Sequence, residues 1–227
     1  SESEMPEKVI WKEGDVQLRE VGGEILSFTC IDDDYHDWQN EHRKAALFLC
    51  DRVIRADVDT APGKKMKIFS FGKDNNYKTS QVRAWLQKNS QNSSFCLEPI
   101  HTGIQTAYMG STAAGAFSQT SGRELVRHDI GFQLMNDQLF CLSLEEALAY
   151  REYLWRFDSG DDNPQSQVSA YSQGYYLRTP FYLQDENGKF IYNQQIYGVD
   201  LVNGCLRPVR TDSETYGVRP AFALSQM

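Results

Sequence analysis

The chain has 227 residues, of which 41% are hydrophobic, and a formal net charge of -8. This length and apolar content suffice for a buried core, so we expect a single domain at residues 15–227 behind a polar lead-in at residues 1–14. The negative charge and the lack of a Lys/Arg run argue against nucleic-acid binding, because neutralising phosphates requires a basic face.

Five cysteines lie between apolar neighbours, which predicts buried thiols. Their odd number and the absence of a CxxC pair argue against a disulfide framework or a zinc site. They favour a reducing, cytoplasmic compartment, while secretion or surface anchoring stays open. No stretch approaches the length of about 18 apolar residues that spans a bilayer, so we expect no membrane span.

The N-terminal half predicts β-structure. Val16–Leu18 and Ile25–Ile31 flank a Gly-Gly pair, which is typical of a hairpin. The continuous apolar run at Ala45–Cys50 predicts a buried strand, and the alternation at Met66–Phe71 predicts a second one.

Two helices are predicted from their N-terminal signals. Ser80 is a candidate cap for a short amphipathic helix in which Trp85 anchors the core. Ser143 and Glu146 have the spacing of a capping box, which predicts a helix from Glu145 to about Phe157.

Two acidic segments raise the question of a cation site. Asp32–Asp37 lacks the spacing of an EF-hand, so a solvated loop is favoured there. The second candidate cation site comprises Asp158, Asp161, Asp162 and Asn163. A solvated turn is again the favoured interpretation. We predict no metal site and no cofactor.

Three arginines near the C-terminus each precede a proline closely. Arg178, Arg207 and Arg219 are therefore expected at strand ends or edges, since proline removes a ladder donor. Their guanidinium groups could bind an anion together. Pairing with buried acids or carbonyls is the favoured alternative, because buried charges need partners.

Five segments carry a family resemblance, matched in order between about residues 14 and 224: Ala46–Cys50, Ser80–Leu86, Leu142–Ala147, Tyr175–Pro180 and Gly217–Phe222. They resemble an uncharacterised domain family of gut bacteria, which is distantly similar to the C-type-lectin-like and sulfatase-modifying-factor superfamily. The resemblance implies an α+β fold, C-type-lectin-like, with a short-stranded mixed sheet, two flanking helices and long loops. Ser80, Trp85, Ser143, Glu146, Arg207 and Arg219 are then expected to have structural roles.

The same resemblance suggests a binding module. Some relatives are variable proteins of diversity-generating retroelements, whose Tyr- and Asn-rich C-terminal segments contact ligands. Tyr and Asn also provide contact area and adaptable hydrogen bonds in recognition surfaces. The predicted contact residues are Tyr175, Arg178, Tyr182, Tyr192, Asn193, Gln194, Tyr197 and Asn203.

The expected partner is a protein or a glycan, reached without calcium, because the calcium–sugar motifs of C-type lectins are missing. Two alternatives stay open. The first is an enzyme similar to sulfatase-modifying factors that uses Cys205 or the arginines. The second is a structural accessory domain of a larger assembly. Of these classes, the non-enzymatic binding module is favoured.

Overall fold

The computed structural model describes residues 10–36, 44–54, 59–61, 64–65, 70–91, 100–104, 108–109, 117–118, 126–127, 133–157, 168, 172–181, 186–187 and 191–226. Strands make up most of the regular structure in these residues. In chain order they are β1 (Val16–Val21), β2 (Glu24–His36), β3 (Lys44–Cys50), β4 (Asp59–Ala61), β5 (Lys64–Lys65), β6 (Ile100–Ile104), β7 (Tyr108–Met109), β8 (Phe117–Ser118), β9 (Val126–Arg127), β10 (Gln133–Asp137), β11 (Gly174–Pro180), β12 (Gln195–Asp200), β13 (Cys205–Arg210), β14 (Tyr216–Gly217) and β15 (Ala221–Ser225).

Helical structure is short by comparison. Helix α1 covers Gln81–Asn89 and helix α2 covers Leu144–Ala149, and 3-10 turns form at Tyr77–Thr79 and Arg151–Tyr153. Within the described ranges, none of the helices is long and apolar enough to cross a membrane.

A four-stranded antiparallel sheet has the order β1-β2-β3-β15. The turn between β1 and β2 contains Gly22 and Gly23, with φ of 62° and 88°. Two positive φ values in a row are what a type I′ hairpin turn requires, which explains the glycine pair. The hairpin predicted from the sequence is therefore confirmed.

A five-stranded sheet has the order β14-β11-β12-β13-β8. Its pairs are antiparallel except for β11 with β14, which run parallel. The remaining ladders in the described residues are two-stranded: β6 with β10, β4 with β5, and β7 with β9.

Two apolar clusters cover the faces of these sheets. In β3, Ala46, Phe48 and Cys50 enter one cluster, and the alternate residues of the same strand enter the other. Burial on both faces explains why β3 is a continuous apolar run rather than an alternating one. Phe48 stacks on Phe222 at 5.2 Å, and burial of each such ring contributes about 1.5–3 kcal/mol.

The expected α+β, C-type-lectin-like fold is wrong. The protein is β-rich, with two curled sheets and little helix, rather than a mixed sheet flanked by two substantial helices. Both predicted helix starts are present: the side chain of Ser80 accepts from the backbone N–H of Arg83, and Ser143 with Glu146 forms a capping box. The fold class was wrong because strands dominate the structure, and the second helix in addition ends earlier than expected.

Helix α2 ends at Ala149 although apolar spacing predicts helix to Phe157. After Tyr150 the chain continues as the 3-10 turn at Arg151–Tyr153. Arg219, from a distant part of the chain, donates hydrogen bonds to the carbonyls of Tyr153, Leu154 and Arg156 in this segment. Apolar periodicity cannot reveal such a long-range donor.

Candidate functional site

An open groove of about 450 Å³ lies beside β12 and β13 of the five-stranded sheet. Its volume is in the range of ligand-binding pockets, which measure about 300–1,000 Å³. Eight of its lining residues carry the hydrogen-bonding groups discussed below: Gln173, Gln195, Asp200, Asn203, Arg207, Arg210, Asp212 and Tyr216.

Gly174 lets the ring of Tyr216 approach β11 closely beside the groove. A Cβ added to Gly174 would lie 2.1 Å from the carbonyl oxygen of Val199 and 2.4 Å from Cε1 of Tyr216. A larger residue at this position would clash with the neighbouring strand and with the ring. The missing side chain at Gly174 therefore leaves the space that Tyr216 occupies.

The carboxylate of Asp200 organises one end of the groove. It is 2% exposed and accepts hydrogen bonds at 2.9 Å from the backbone N–H groups of Val202 and Asn203, and at 2.8 Å from Nδ2 of Asn203. Arg207 approaches the same carboxylate at 3.3 Å. Asp200 thus builds the turn that follows β12 and also holds a half-exposed guanidinium in the groove.

The hydroxyl of Tyr216 lies at the same end of the groove as Asp200 and has no hydrogen-bond partner among the described residues. The ring is only 6% exposed. Burial raises the pKa of Tyr216, and the nearby charge of Asp200 raises it further. The phenol is therefore neutral at physiological pH, able both to donate and to accept.

A second ion pair lies at the other end. Nε of Arg210 donates to Asp212 at 2.8 Å, and its Nη2 donates to Asp212 and to the side chain of Gln194, both at 3.0 Å. The hydrogen bond with Arg210 lowers the pKa of Asp212, which stays ionised. Both pairs together give the groove two cations and two anions.

Arg178 lies away from the groove, in a buried ion pair with Glu146. Its Nη1 also donates to the carbonyl of Cys141 at 2.6 Å, and the hydroxyl of Tyr35 donates to the same carboxylate at 2.7 Å. Burial alone raises the pKa of Glu146, but the charge of Arg178 and hydrogen bonds from Ser143 and Tyr35 outweigh it and lower the pKa. Arg178 is a structural cation.

Arg219 is also buried, at 3% exposure, and its guanidinium lies 4.2 Å from the centroid of the Phe157 ring. Among the described residues it has no ion pair. Its charge is instead met by backbone carbonyls at 2.6–3.1 Å, those of Cys50, Tyr153, Leu154 and Arg156. A planar donor fork that joins two chain segments has a structural role.

The three arginines therefore do not form a shared anion site. Arg178 and Arg219 are committed to buried partners, and Arg207 alone faces the groove. The motifs that contain Arg178 and Arg219 fix the packing of β11 and of the chain before β15.

Comparison with family models matches residues 47–226 to "Domain of unknown function (DUF6273)". The chain belongs to the DUF6273 family. The groove, Arg178 and Arg219 all lie inside the matched region, whereas the hairpin of β1 and β2 lies before it. The search of curated proteins returned no match, and neither did the search of solved structures.

Within the DUF6273 region, the structure divides the predicted contact residues. Tyr175 and Tyr197 are at most 1% exposed, and the hydroxyl of Tyr175 donates to the carbonyl of Leu154 at 2.8 Å. Together with Arg178 they belong to the core. Tyr175 and Tyr197 pack in the second apolar cluster, and neither of them lines the groove.

The other predicted contact residues lie nearer the surface. Asn203 lines the groove, and Gln194 reaches it through Arg210. Tyr192 is 44% exposed on the segment before β12. Asn193 is half-buried and pairs with the buried Asn75 through its backbone N–H at 3.0 Å. Tyr182 lies outside the described residues.

The remaining expected structural residues have local roles. Ser80 and Ser143 cap α1 and α2, and Glu146 completes the second cap. Trp85 is half-buried against the first apolar cluster. Arg207 differs from them, because its guanidinium is in the groove rather than in the core.

Cys205 is half-buried at the start of β13. Burial raises the pKa of its thiol, and the charge of Asp200 raises it further, while Arg207 lowers it. The thiol is therefore protonated at neutral pH and a poor nucleophile.

The described residues contain no group of three or more His, Cys, Asp or Glu side chains placed to hold a metal ion. The acidic segment at residues 158–163 lies outside the described part of the chain, so the structure does not test it.

Sequence reasoning missed Asp200, Tyr216 and Arg210 as groove residues. One local signal was available: Asp200 precedes Asn203-Gly204, and Gly204 has φ of 64°, a combination typical of an aspartate-capped turn. The approach of Tyr216 depends on a parallel pairing of β14 with β11, which no local pattern indicates.

Proposed function

We propose that this DUF6273 domain is a non-enzymatic recognition module that binds a protein or glycan partner in the groove beside β12 and β13. The observation that carries the proposal is the set of polar groups converging on one cavity of about 450 Å³. These groups come from β12, β13, β14 and the turn after β12, so a rigid sheet holds most of them in place.

Two further observations support binding rather than catalysis at this place. The raised pKa of Cys205 opposes a thiolate mechanism, which was the enzyme alternative from the sequence. At the Asp200 end of the groove the polar groups are held in place, because the buried carboxylate of Asp200 accepts from the backbone N–H groups of Val202 and Asn203 and also pairs with Arg207. Such pre-organised groups suit recognition, because little side-chain freedom is lost when a partner binds.

The test is partner capture by the immobilised chain, from native lysate and on a glycan array, comparing the wild type with Arg207→Gln. This substitution removes one guanidinium from the groove, while the side-chain amide of Gln keeps an N–H donor and the carboxylate of Asp200 keeps its hydrogen bonds from Val202 and Asn203, so we expect the fold to be retained, which a thermal melt checks. We expect the retained partner to be lost with Arg207→Gln.

Arg52→Gln is the matched control. Arg52 also pairs with a carboxylate, that of Glu24, has 39% side-chain exposure and lies outside the groove. It should retain the partner as well as the wild type does. Equal capture by all three proteins would refute the groove as the binding site, and no specific capture by the folded wild type would refute the recognition function.

A further inference from the structure

The charges in the groove cancel, and this restricts the ligand. Arg207 faces Asp200, and Arg210 faces Asp212, so each guanidinium already has a carboxylate partner. A phosphate, sulfate or carboxylate would have to compete with a carboxylate that is in place, and it would meet the repulsion of that charge. An anionic ligand therefore gains little from these arginines.

Neutral hydrogen-bonding groups are uncommitted in the same cavity. Among the described residues, the side-chain amides of Gln173 and Gln195 and the hydroxyl of Tyr216 have no hydrogen-bond partner. Asn203 uses its amide nitrogen on Asp200, which leaves its carbonyl oxygen available. Amides and a phenol offer donors and acceptors side by side, and so they match hydroxyl groups, which also do both.

Apolar surface lies between these polar groups. Val202 is 50% exposed, and Pro208 and Val209 also line the groove. A sugar ring has this mixed character, because its hydroxyl groups project around a rim while its C–H groups form an apolar face. A charged polymer or a purely apolar ligand would match only one part of this lining.

We propose that the groove binds a neutral, hydroxyl-rich saccharide through direct hydrogen bonds from Tyr216, Asn203, Gln195 and Arg207. The inference rests on the recognition function proposed above and names the class of its ligand. Arg207 contributes as a hydrogen-bond donor to hydroxyl oxygen, held in place by Asp200, rather than as a binder of anions.

Titration of the chain, followed by amide chemical shifts, tests this. The neutral probes are lactose, maltotriose and triacetylchitotriose, and the charged probes are sialyllactose and sulfated lactose. We expect at least one neutral probe to shift amides of the Asp200–Arg210 and Asp212–Tyr216 segments, with charged probes giving no stronger binding.

Two conservative variants separate binding from packing. Tyr216→Phe removes a hydroxyl that none of the described residues hydrogen-bonds. It should weaken binding of the neutral probe about fivefold, the effect of one neutral hydrogen bond, with unchanged melting temperature. Tyr175→Phe removes a hydroxyl bonded inside the core and should lower the melting temperature without changing affinity.

The outcomes distinguish the two proposals. Binding only to charged probes would overturn the neutral-saccharide inference, as would a Tyr216→Phe variant that binds as tightly as the wild type. If no saccharide shifts the groove amides while Arg207→Gln still abolishes capture of a protein, the saccharide inference fails and the recognition function stands. If neither kind of partner depends on the groove, both fail.

Discussion

The buried pair of Glu146 and Arg178 offers a sharp test of how this fold is held together. Glu146→Gln keeps the shape of the side chain and an oxygen for the N–H of Ser143, but it removes the charge that faces a guanidinium with 4% side-chain exposure. Removing one partner of a buried pair costs about 3–5 kcal/mol, because the other charge is left without compensation. We expect a loss of about 3 kcal/mol in the free energy of unfolding.

A loss of this size is large for a domain with a typical stability of about 5–15 kcal/mol. For a chain of about 200 residues it corresponds to a fall of roughly 6–12 °C in melting temperature. Guanidinium chloride titration and thermal melting at pH 7 both measure it. Asp212→Asn is the matched control: it breaks a pair between exposed side chains, so we expect no measurable change.

The pH dependence gives an independent check on the same pair. The pKa of Glu146 is lowered from its usual value of 4.5 in the folded state, so its ionisation stabilises the protein above that pH. This contribution is lost as the pH falls below about 4.5 and through the folded-state pKa. Wild-type stability should therefore drop more steeply in acid than that of Glu146→Gln. Parallel pH profiles, or a variant as stable as the wild type at pH 7, would refute the reasoning.

Three other outcomes are expected. Arg219→Met should lower the free energy of unfolding by about 3–5 kcal/mol or prevent folding, because buried carbonyls lose their donors. Arg219→Lys should be destabilised as well, because a lysine lacks the planar set of donors that reaches several carbonyls at once. Wild-type stability of Arg219→Lys in a denaturant melt would contradict this role. In native protein at pH 7, the half-buried Cys205 should react with iodoacetamide slowly, but faster than the buried Cys141, whose pKa burial raises to about 12. Mass spectrometry of the labelled peptides measures the order, and faster labelling of Cys141 would contradict the prediction. Ser143→Ala should cost about 1 kcal/mol through loss of the helix cap, and an unchanged urea midpoint would argue against that cap.

The features that depend on neighbouring residues in the chain could be predicted from the sequence. The glycine pair at residues 22–23, the continuous apolar run of β3 and the hydroxyl caps at Ser80 and Ser143 each correspond to an observed element. In each case the residues that specify the structure are neighbours in the chain. The sequence analysis also favoured a structural role for Arg219, because a buried charge needs hydrogen-bonding partners.

The parts that failed depend on contacts between distant residues. The segment that follows the second helix is bound by Arg219, which is more than sixty residues away from the carbonyls that accept its hydrogen bonds. The tyrosines of β11 and β12 looked like a recognition surface by composition, yet strand alternation places Tyr175 and Tyr197 in the core. The groove itself combines β12, β13 and β14, so its residues could be found only once their pairing was known.

Hydrogen–deuterium exchange with the captured partner tests the central claim most directly. The probe is the protein or oligosaccharide that wild-type chain retains, added in excess to free chain. We expect new protection in Gln195–Asp200, Cys205–Arg210 and the segment from Asp212 to Tyr216, and none with Arg207→Gln. Protection confined to the hairpin of β1 and β2, with the groove segments unchanged, would contradict the account.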